Sequence, residues 1–207
     1  VMYGIEPDNY YLIATSEHPL TAMRMDEIIE PSELPIRLVG VSACFRREVG
    51  AHGLSDRGIW RVHQFTKVEQ IVICHPDDSW GHHEELLGNA VDLWDSLGLH
   101  YRVVNICTGD MGTVAARKYD LEAWLPGAGD YKEVVSCSNC TDYQARRLNA
   151  RYRTEGEKGT RLLHTLNGTA IAISRCLIAI LENYQQADGS ILVPEVLRPW
   201  VGKDQIG

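Results

Sequence analysis

A run of β-branched and aromatic residues between positions 60 and 74 constrains the fold more than any other feature of this sequence. It reads Trp-Arg-Val-His-Gln-Phe-Thr-Lys-Val-Glu-Gln-Ile-Val-Ile-Cys, a composition typical of a long strand. Residues 37–46 and 10–16 have the same character and predict two more strands. The glycine-bearing segment 49–59, between the two longer strands, predicts a long hairpin loop of a length that is often functional.

Elsewhere the hydrophobic period alternates between two and 3.6 residues, which predicts a mixed domain. A helix is expected over 79–97, with Ser79 as its N-terminal cap. A last helix is expected from Leu166 to Tyr184, whose apolar residues fall on one stripe. Shorter elements are strands near 101–107, 118–124 and 131–136, and a helix near 141–152.

Strands joined by hairpins, with helices inserted singly, predict an α+β fold: an antiparallel sheet flanked by helices. The chain shows no interdomain linker, so residues 1–207 are expected to form one domain.

The composition of the chain argues against several classes of function. The formal charge is −8, which argues against a protein that coats nucleic acid by bulk attraction. Local basic patches remain possible contacts for a polyanion: Arg46, Arg47, Arg57 and Arg61, and Arg146, Arg147, Arg151 and Arg153. The sequence lacks a run of about 18 apolar residues and a signal peptide. Its six cysteines are scattered, which indicates reduced thiols and a cytosolic setting.

Strand alternation places charged side chains on shared faces. Arg46 and Glu48 point to one side, as do Phe65, Lys67 and Glu69 on the long strand, and Thr15 and Glu17 near the start. Charged groups are rarely fully buried unless they are paired or bind a ligand. This face is therefore either a ligand site or an exposed sheet surface with cross-strand ion pairs.

The predicted last helix carries Asn167, Ile171 and Arg175 at positions i, i+4 and i+8. Asn167 and Arg175 would lie about 12 Å apart along its axis. An extended ligand could then place a small polar end at Asn167 and an anionic end at Arg175. The alternative is a helix-capping asparagine and a surface arginine.

Two other motifs contain residue types that bind metals, but neither provides a complete set of metal ligands. Cys137-x-x-Cys140 matches half of a zinc site, and no second Cys or His pair lies at a suitable offset. His82-His83 with Glu84-Glu85 falls on the expected solvent side of the helix over 79–97. Both are interpreted as structural or surface features.

Several segments together resemble a known family. Phe45-Arg46-Arg47-Glu48, the loop, and Arg61-Val62-His63-Gln64-Phe65 resemble the second signature motif of class II aminoacyl-tRNA synthetases, and residues 167–175 resemble the third. Thr15-Ser16-Glu17, Glu133-Val134-Val135-Ser136 and residues 136–147 are similar to the seryl-tRNA synthetase family. The resemblance covers nearly the whole chain and implies the class II catalytic fold.

The resemblance implies an ATP site. Arg46 would hold the α-phosphate, Glu48 would accept from the adenine amino group, and Phe65 would stack on the ring, with Val62 beside it. Arg175 would hold the γ-phosphate. Glu133 and Ser136 would hold Mg²⁺. A spacing of three on a regular strand would, however, point those two side chains to opposite faces.

The resemblance also implies a serine pocket formed by Thr15, Glu17, Glu69 and Asn167. A carboxylate suits the ammonium group of serine, and the polar groups suit its hydroxyl. A site built to hydrogen-bond that hydroxyl rejects alanine, because its own polar groups would be left unpaired. No residue resembles a nucleophile, as expected for a reaction that depends on positioning and electrostatics.

The implied activity is ATP-dependent activation of L-serine and its transfer to tRNA(Ser), and also to tRNA(Sec), in the cytoplasm. The implied partners are the tRNA acceptor end, contacted through loop 49–59, and a second subunit in a homodimer; no membrane is involved. The family's N-terminal tRNA-binding arm and first signature motif have no counterpart in this sequence, so the chain is expected to be the later part of a longer enzyme.

Two alternatives stay open. A stand-alone synthetase-like protein could activate an amino acid for another acceptor or only bind a partner, and an ATP-binding scaffold could lack catalysis. The first would show loss of Arg46, Glu48, Phe65 or Arg175, and all four are present. The intact serine pocket argues against the second.

Overall fold

The computed structural model describes residues 2–49, 58–154, 156 and 158–207. In these residues the helices are α1 (Glu17–Ala22), α2 (Ser79–Ser96), α3 (Tyr143–Leu148), α4 (Ile173–Tyr184) and α5 (Arg198–Val201). The strands are β1 (Gly4–Ile5), β2 (Tyr10–Tyr11), β3 (Ile28–Ile29), β4 (Ile36–Phe45), β5 (Gln64–Cys74), β6 (Tyr101–Asn105), β7 (Arg117–Leu125), β8 (Asp130–Thr141), β9 (Arg151–Tyr152), β10 (Arg161–Leu162), β11 (His164–Ala172), β12 (Ile191–Leu192) and β13 (Gln205–Ile206).

The main sheet has six strands in the order β4-β5-β11-β8-β7-β6, and every neighbouring pair in it is antiparallel. The strand β11 lies in the middle although it is the last of these six strands in sequence, so residues distant in sequence become neighbours there. Short two-residue strands form separate small sheets. The predicted α+β fold with an antiparallel sheet and flanking helices is confirmed.

One face of the sheet is covered by α2 and α4. Alternate residues of β7, from Leu121 to Leu125, meet Ala90 and Trp94 of α2 and Ala179 of α4 in the largest apolar cluster. Trp94 and Ala179 are fully buried. The Tyr184 hydroxyl donates to the Leu97 carbonyl at 2.6 Å and joins the ends of the two helices.

The other face of the sheet is divided. Ile71 and Ile73 of β5 pack with Leu163 and with residues of α3 and the small sheets in a second cluster. The first half of β5, beyond that cluster, carries polar side chains instead. This uncovered part of the face forms the candidate site.

The predicted helix from Leu166 to Tyr184 is wrong in its first part, because residues His164–Ala172 form a strand and only Ile173–Tyr184 is helical. β11 is central in the sheet, and buried residues occur on both of its faces. A strand buried on both faces has no clear period of two and cannot be distinguished from a buried helix by pattern alone.

Other predicted boundaries shift by a few residues. Between positions 10 and 16 only Tyr10–Tyr11 is a strand, and the long strand begins at Gln64 rather than at residue 60. Asp78, not Ser79, occupies the N-cap of α2. The helix near 141–152 ends early because Asn149 adopts the left-handed conformation, with φ of 53°, that commonly ends helices. In the described residues, no helix is long and apolar enough to cross a bilayer.

Candidate active site

A cavity of about 280 Å³ lies over the uncovered part of the sheet. Every residue that the sequence singled out for the ATP and serine sites lines it: Thr15, Glu17, Arg46, Glu48, Val62, Phe65, Glu69, Glu133, Ser136, Asn167 and Arg175. The structure thus brings together groups that are up to 160 positions apart in sequence. It does not by itself assign their roles.

The floor of the cavity is the first half of β5. Phe65, Lys67 and Glu69 project to the same side, as alternation predicted. Lys67 and Glu69 form an ion pair, with only 8% and 3% of their side chains exposed, and Lys67 Nζ donates to Thr15 Oγ1 at 2.7 Å. Burial raises the pKa of Glu69, while Lys67 opposes the shift. The alternative of an exposed sheet face is therefore wrong for this strand.

The adjacent strand β11 contributes Asn167 and Thr169 to the same cavity. Thr169 is paired with Glu69 across the sheet, and its hydroxyl lies 3.4 Å from Glu69 Oε2. Asn167 is paired with Ser138 of β8. The expected helical spacing of Asn167 and Arg175 is wrong, because Asn167 lies on a strand and Arg175 in the first turn of α4. Both still border one cavity.

Thr15 and Glu17 reach the cavity from the start of α1, not from a strand. The Glu17 amide donates to Thr15 Oγ1 at 3.2 Å. This segment can lie close to the sheet because β4 has Gly40 beneath it. A Cβ at that position would lie 2.7 Å from Leu20 Cδ1 and 3.3 Å from the Ser16 side chain.

Three arginines, Arg46, Arg61 and Arg175, line the same cavity. Arg46 donates to the Ala14 carbonyl at 3.2 Å and lies 5.2 Å from the centre of the Phe65 ring. Arg61 Nη1 lies 3.1 Å from Glu48 Oε2. Burial lowers the pKa of Arg175, and the nearby Arg46 and Arg61 act in the same direction. Such a cluster suits an extended phosphate chain.

A β-bulge in β8 determines that the side chains of Glu133 and Ser136 point to the same face of the sheet. Leu121 pairs with Val135, but the next residue of β7, Glu122, pairs with Glu133, so one extra residue is inserted into β8. A bulge of this kind reverses the alternation on its strand. Both side chains therefore line the cavity, and the opposite-face expectation for Ser136 is wrong.

Glu133 and Ser136 supply hard oxygen atoms next to the arginines, and Glu133 Oε1 lies 3.4 Å from Arg175 Nη1. Asp120, opposite Ser136 on β7, is 6% exposed, and its Oδ1 has no hydrogen-bond partner. Burial raises the pKa of Asp120, and a hydrogen bond from Ser136 opposes the shift. The described residues include no group of three or more His, Cys, Asp or Glu side chains suited to a metal.

The cavity also contains residues absent from the predicted site: Trp60, Arg61, Lys67, Val134, Ser138, Thr169, Ala172 and Ser174. Lys67 carried a usable signal, since it alternates in phase with Phe65 and Glu69. The sequence around Trp60 gave no such signal. Its position in the cavity depends on a tertiary contact with Arg175, whose guanidinium lies 4.9 Å from the centre of the indole ring.

The cysteine and histidine motifs form part of the packing. Cys137 and Cys140 are buried, and burial raises their pKa values, that of Cys140 to about 12. The expectation that His83 faces solvent is wrong: it is fully buried. Its Nε2 donates to the Cys137 carbonyl at 3.1 Å, and its ring stacks on Tyr119.

Comparison with known proteins gives consistent results. The family described as "tRNA synthetase class II core domain (G, H, P, S and T)" matches residues 3–184. The serine--tRNA ligase of Methanospirillum hungatei is 62% identical over 202 residues, which is 97% of this chain and 48% of that protein. The enzyme of the same name from Archaeoglobus fulgidus is 55% identical over 97% of this chain and 45% of its own length. The chain spans about half the length of the curated relatives it matches.

Two solved structures with a similar fold belong to the same family as these sequence relatives. Seryl-tRNA synthetase from Pyrococcus horikoshii, complexed with ATP, superposes with a TM-score of 0.96 at 54% identity, over 100% of this chain and 46% of that one. Cytoplasmic serine-tRNA ligase from Naegleria fowleri, in complex with AMP, gives 0.93 at 47% identity, over 99% and 49%. Because the family match extends through the sheet and α4, and the cavity carries the residues of its signature motifs, this chain belongs to the class II tRNA synthetase core-domain family.

Proposed function

We propose that residues 1–207 form the catalytic domain of an enzyme that activates L-serine with ATP and transfers the serine to tRNA(Ser). One observation carries the proposal: a single cavity combines three arginines, Arg46, Arg61 and Arg175, with a group of small polar side chains around Glu69. Relatives that share 55–62% of its residues are named serine--tRNA ligases, and two similar structures contain ATP or AMP.

The arginine cluster is proposed as the ATP site. Arg46 would contact the α-phosphate, where negative charge accumulates during attack, and Arg175 the γ-phosphate. Phe65 offers a ring face for adenine, with Val62 beside it. Glu48 would accept from the adenine amino group. Its backbone φ of 46° is unusual for a residue with a side chain, and such conformations often occur at functional sites.

The polar side chains around Glu69 are proposed as the serine pocket. Glu17 and Glu69 supply carboxylates, and Thr15 and Asn167 supply neutral polar groups. Since Lys67 neutralises Glu69, Glu17 is the carboxylate better suited to the ammonium group of serine. Glu69 and Asn167 would then serve the hydroxyl, which alanine lacks.

The site suits a Mg²⁺ ion that is held partly by the protein and partly by ATP, rather than one enclosed by protein ligands alone. Glu133 and Ser136 would hold it, and ATP phosphates and water would complete its preferred octahedral shell. When bound, the ion would neutralise charge on the phosphates. The backbone carbonyl of Glu133 also accepts a hydrogen bond from Arg175 Nη1 at 2.8 Å. This contact holds the Arg175 side chain beside the proposed phosphate site.

The proposed step needs no protein nucleophile. A serine carboxylate oxygen attacks the α-phosphorus of ATP, and the bond from that phosphorus to the bridging oxygen breaks. Seryl-adenylate and pyrophosphate result. The chain's contribution is to align the two substrates and to stabilise the charge that develops on the α-phosphate.

Transfer to tRNA(Ser), and also to tRNA(Sec), completes the proposal. The acceptor end would contact loop 49–59, of which residues 50–57 lie outside the described residues. A homodimer and a cytoplasmic setting are proposed with it. The six cysteines are free thiols, which supports a reducing compartment.

Serine-dependent exchange of pyrophosphate into ATP tests the activation step. This chain should show exchange that requires both L-serine and Mg²⁺, and alanine should not replace serine. Exchange without subsequent charging of tRNA(Ser) would favour an enzyme with a different acceptor. ATP binding without any amino-acid-dependent exchange would contradict the proposal and favour a non-catalytic scaffold.

A further inference from the structure

Gln144 connects the proposed serine pocket to the centre of the sheet. It lies on α3, and its side-chain Nε2 donates to Glu17 Oε1 at 2.7 Å. Its amide oxygen accepts from the Thr165 hydroxyl at 2.7 Å. The three residues belong to α1, α3 and β11, so only the tertiary fold brings them together.

The polarity of this chain of hydrogen bonds is fixed. An ionised carboxylate can only accept hydrogen bonds, so the amide nitrogen of Gln144 must face Glu17 and the amide oxygen must face Thr165. Thr165 is 1% exposed. A reversed amide would set the oxygen of Gln144 against the carboxylate and is therefore excluded.

Thr165, at the far end of this chain of hydrogen bonds, is held in place by the sheet. Thr165 precedes Asn167 and Thr169 by two and four positions on β11, so all three project from the same face of the strand. β11 is paired on both sides, with β5 and β8. Glu17 is thus tied to the strand that itself presents Asn167 to the pocket.

We propose that Gln144 is a positioning residue for the amino acid: it holds the Glu17 carboxylate at a fixed distance from Asn167, so that the ammonium group of serine is bound in one orientation. The proposal rests on the proposed function. Gln144 occupies one acceptor position of Glu17 and leaves its remaining acceptor capacity for the ammonium group. Glu17, Gln144 and Asn167 also line a second cavity of about 410 Å³.

The test compares Gln144→Met, which keeps side-chain length but removes the donor, with the parent chain in pyrophosphate exchange. The KM for serine should rise about tenfold, as expected when a charge-assisted hydrogen bond to a binding group is lost. The KM for ATP should stay within about twofold. Gln186→Met is the matched control, since that glutamine is exposed and its side-chain amide donates to the backbone carbonyl of Tyr184, outside the cavity.

Variants of Thr165 separate positioning from general support of the fold. Thr165→Val should raise the KM for serine in the same direction, and Thr165→Ser, which keeps the hydroxyl, should recover most of the loss. The double variant Thr165→Val with Gln144→Met should be no worse than Gln144→Met alone, because both changes break one chain of contacts.

Three results decide the matter. A serine KM unchanged in Gln144→Met overturns this inference while leaving the proposed function intact. Equal increases in the KM values for serine and ATP indicate a structural brace and also overturn it. Absence of serine-dependent exchange in the parent chain overturns the proposed function, and this inference with it.

Discussion

Lys67 and Glu69 form an ion pair that is more than nine-tenths buried beneath the candidate amino-acid pocket. The pair is not isolated, because Lys67 also donates to Thr15 and Glu69 lies within 3.4 Å of the Thr169 hydroxyl. Burying two charges is unfavourable unless each keeps such partners. The arrangement places a carboxylate in the pocket without leaving a net charge at that point.

Lys67→Met should therefore strongly destabilise the fold. The substitution leaves the Glu69 charge buried without its cation, and breaking a buried pair in this way typically costs about 3–5 kcal/mol. Urea unfolding followed by circular dichroism measures the change. Lys132→Met, which breaks an exposed pair with Asp130, should cost no more than about 1 kcal/mol. Equal effects of the two changes would contradict the proposed importance of the buried pair.

Arg46→Ala should reduce serine-dependent pyrophosphate exchange by about two to three orders of magnitude, or about 2.7–4 kcal/mol, if Arg46 stabilises the transferring phosphate. Binding of ATP should weaken much less. Arg47→Ala is the matched control, since the neighbouring arginine is exposed and does not line the cavity. Near-parent exchange by Arg46→Ala in an active chain would remove Arg46 from the proposed role.

Asn167→Ala should weaken the use of serine and leave the KM for ATP nearly unchanged, because Asn167 is proposed as a partner of the serine hydroxyl and not of ATP. Preference for serine over alanine should also fall, since one partner of the hydroxyl is lost. Asn105→Ala, on the exposed edge strand β6, provides the control. Parallel losses for serine and ATP would point to a damaged fold rather than to a pocket residue.

Glu133→Gln should raise the Mg²⁺ concentration needed for half-maximal exchange, by roughly tenfold or more, because it removes the charged oxygen ligand. Asp130→Asn lies on the same strand but in an exposed pair with Lys132, and it should leave the Mg²⁺ requirement unchanged. An unaltered Mg²⁺ dependence in Glu133→Gln would place the ion elsewhere.

His83 should make stability depend on pH. Burial lowers its pKa, so below about pH 6.5 the unfolded chain takes up a proton that the folded chain resists. The free energy of unfolding should therefore fall as pH falls through this range. His164, whose pKa burial also lowers, acts in the same direction.

His83→Phe isolates the contribution of His83. The variant keeps a ring against Tyr119 but cannot titrate, so its free energy of unfolding should fall less than that of the parent between pH 7 and pH 5. Urea unfolding at both pH values gives the comparison. Identical pH dependence of parent and variant would show that His83 does not titrate in this range.

The sequence by itself determined the features that depend on near neighbours. The strand β5 and the shared face of Phe65, Lys67 and Glu69 follow from a period of two, which any extended chain has. The helix α2 follows from its apolar stripe. The motif residues could also be recognised, because their types and order are independent of the fold.

Only the tertiary structure decided features that belong to two or more strands at once. β11 was mistaken for a helix because a central strand is buried on both faces and loses its alternation. Glu133 and Ser136 share a face through a bulge, which is a property of the pairing between β7 and β8 and not of either strand. Gln144 meets Glu17 and Thr165 across separations of 127 and 21 residues, and local pattern carries no information about contacts at such range.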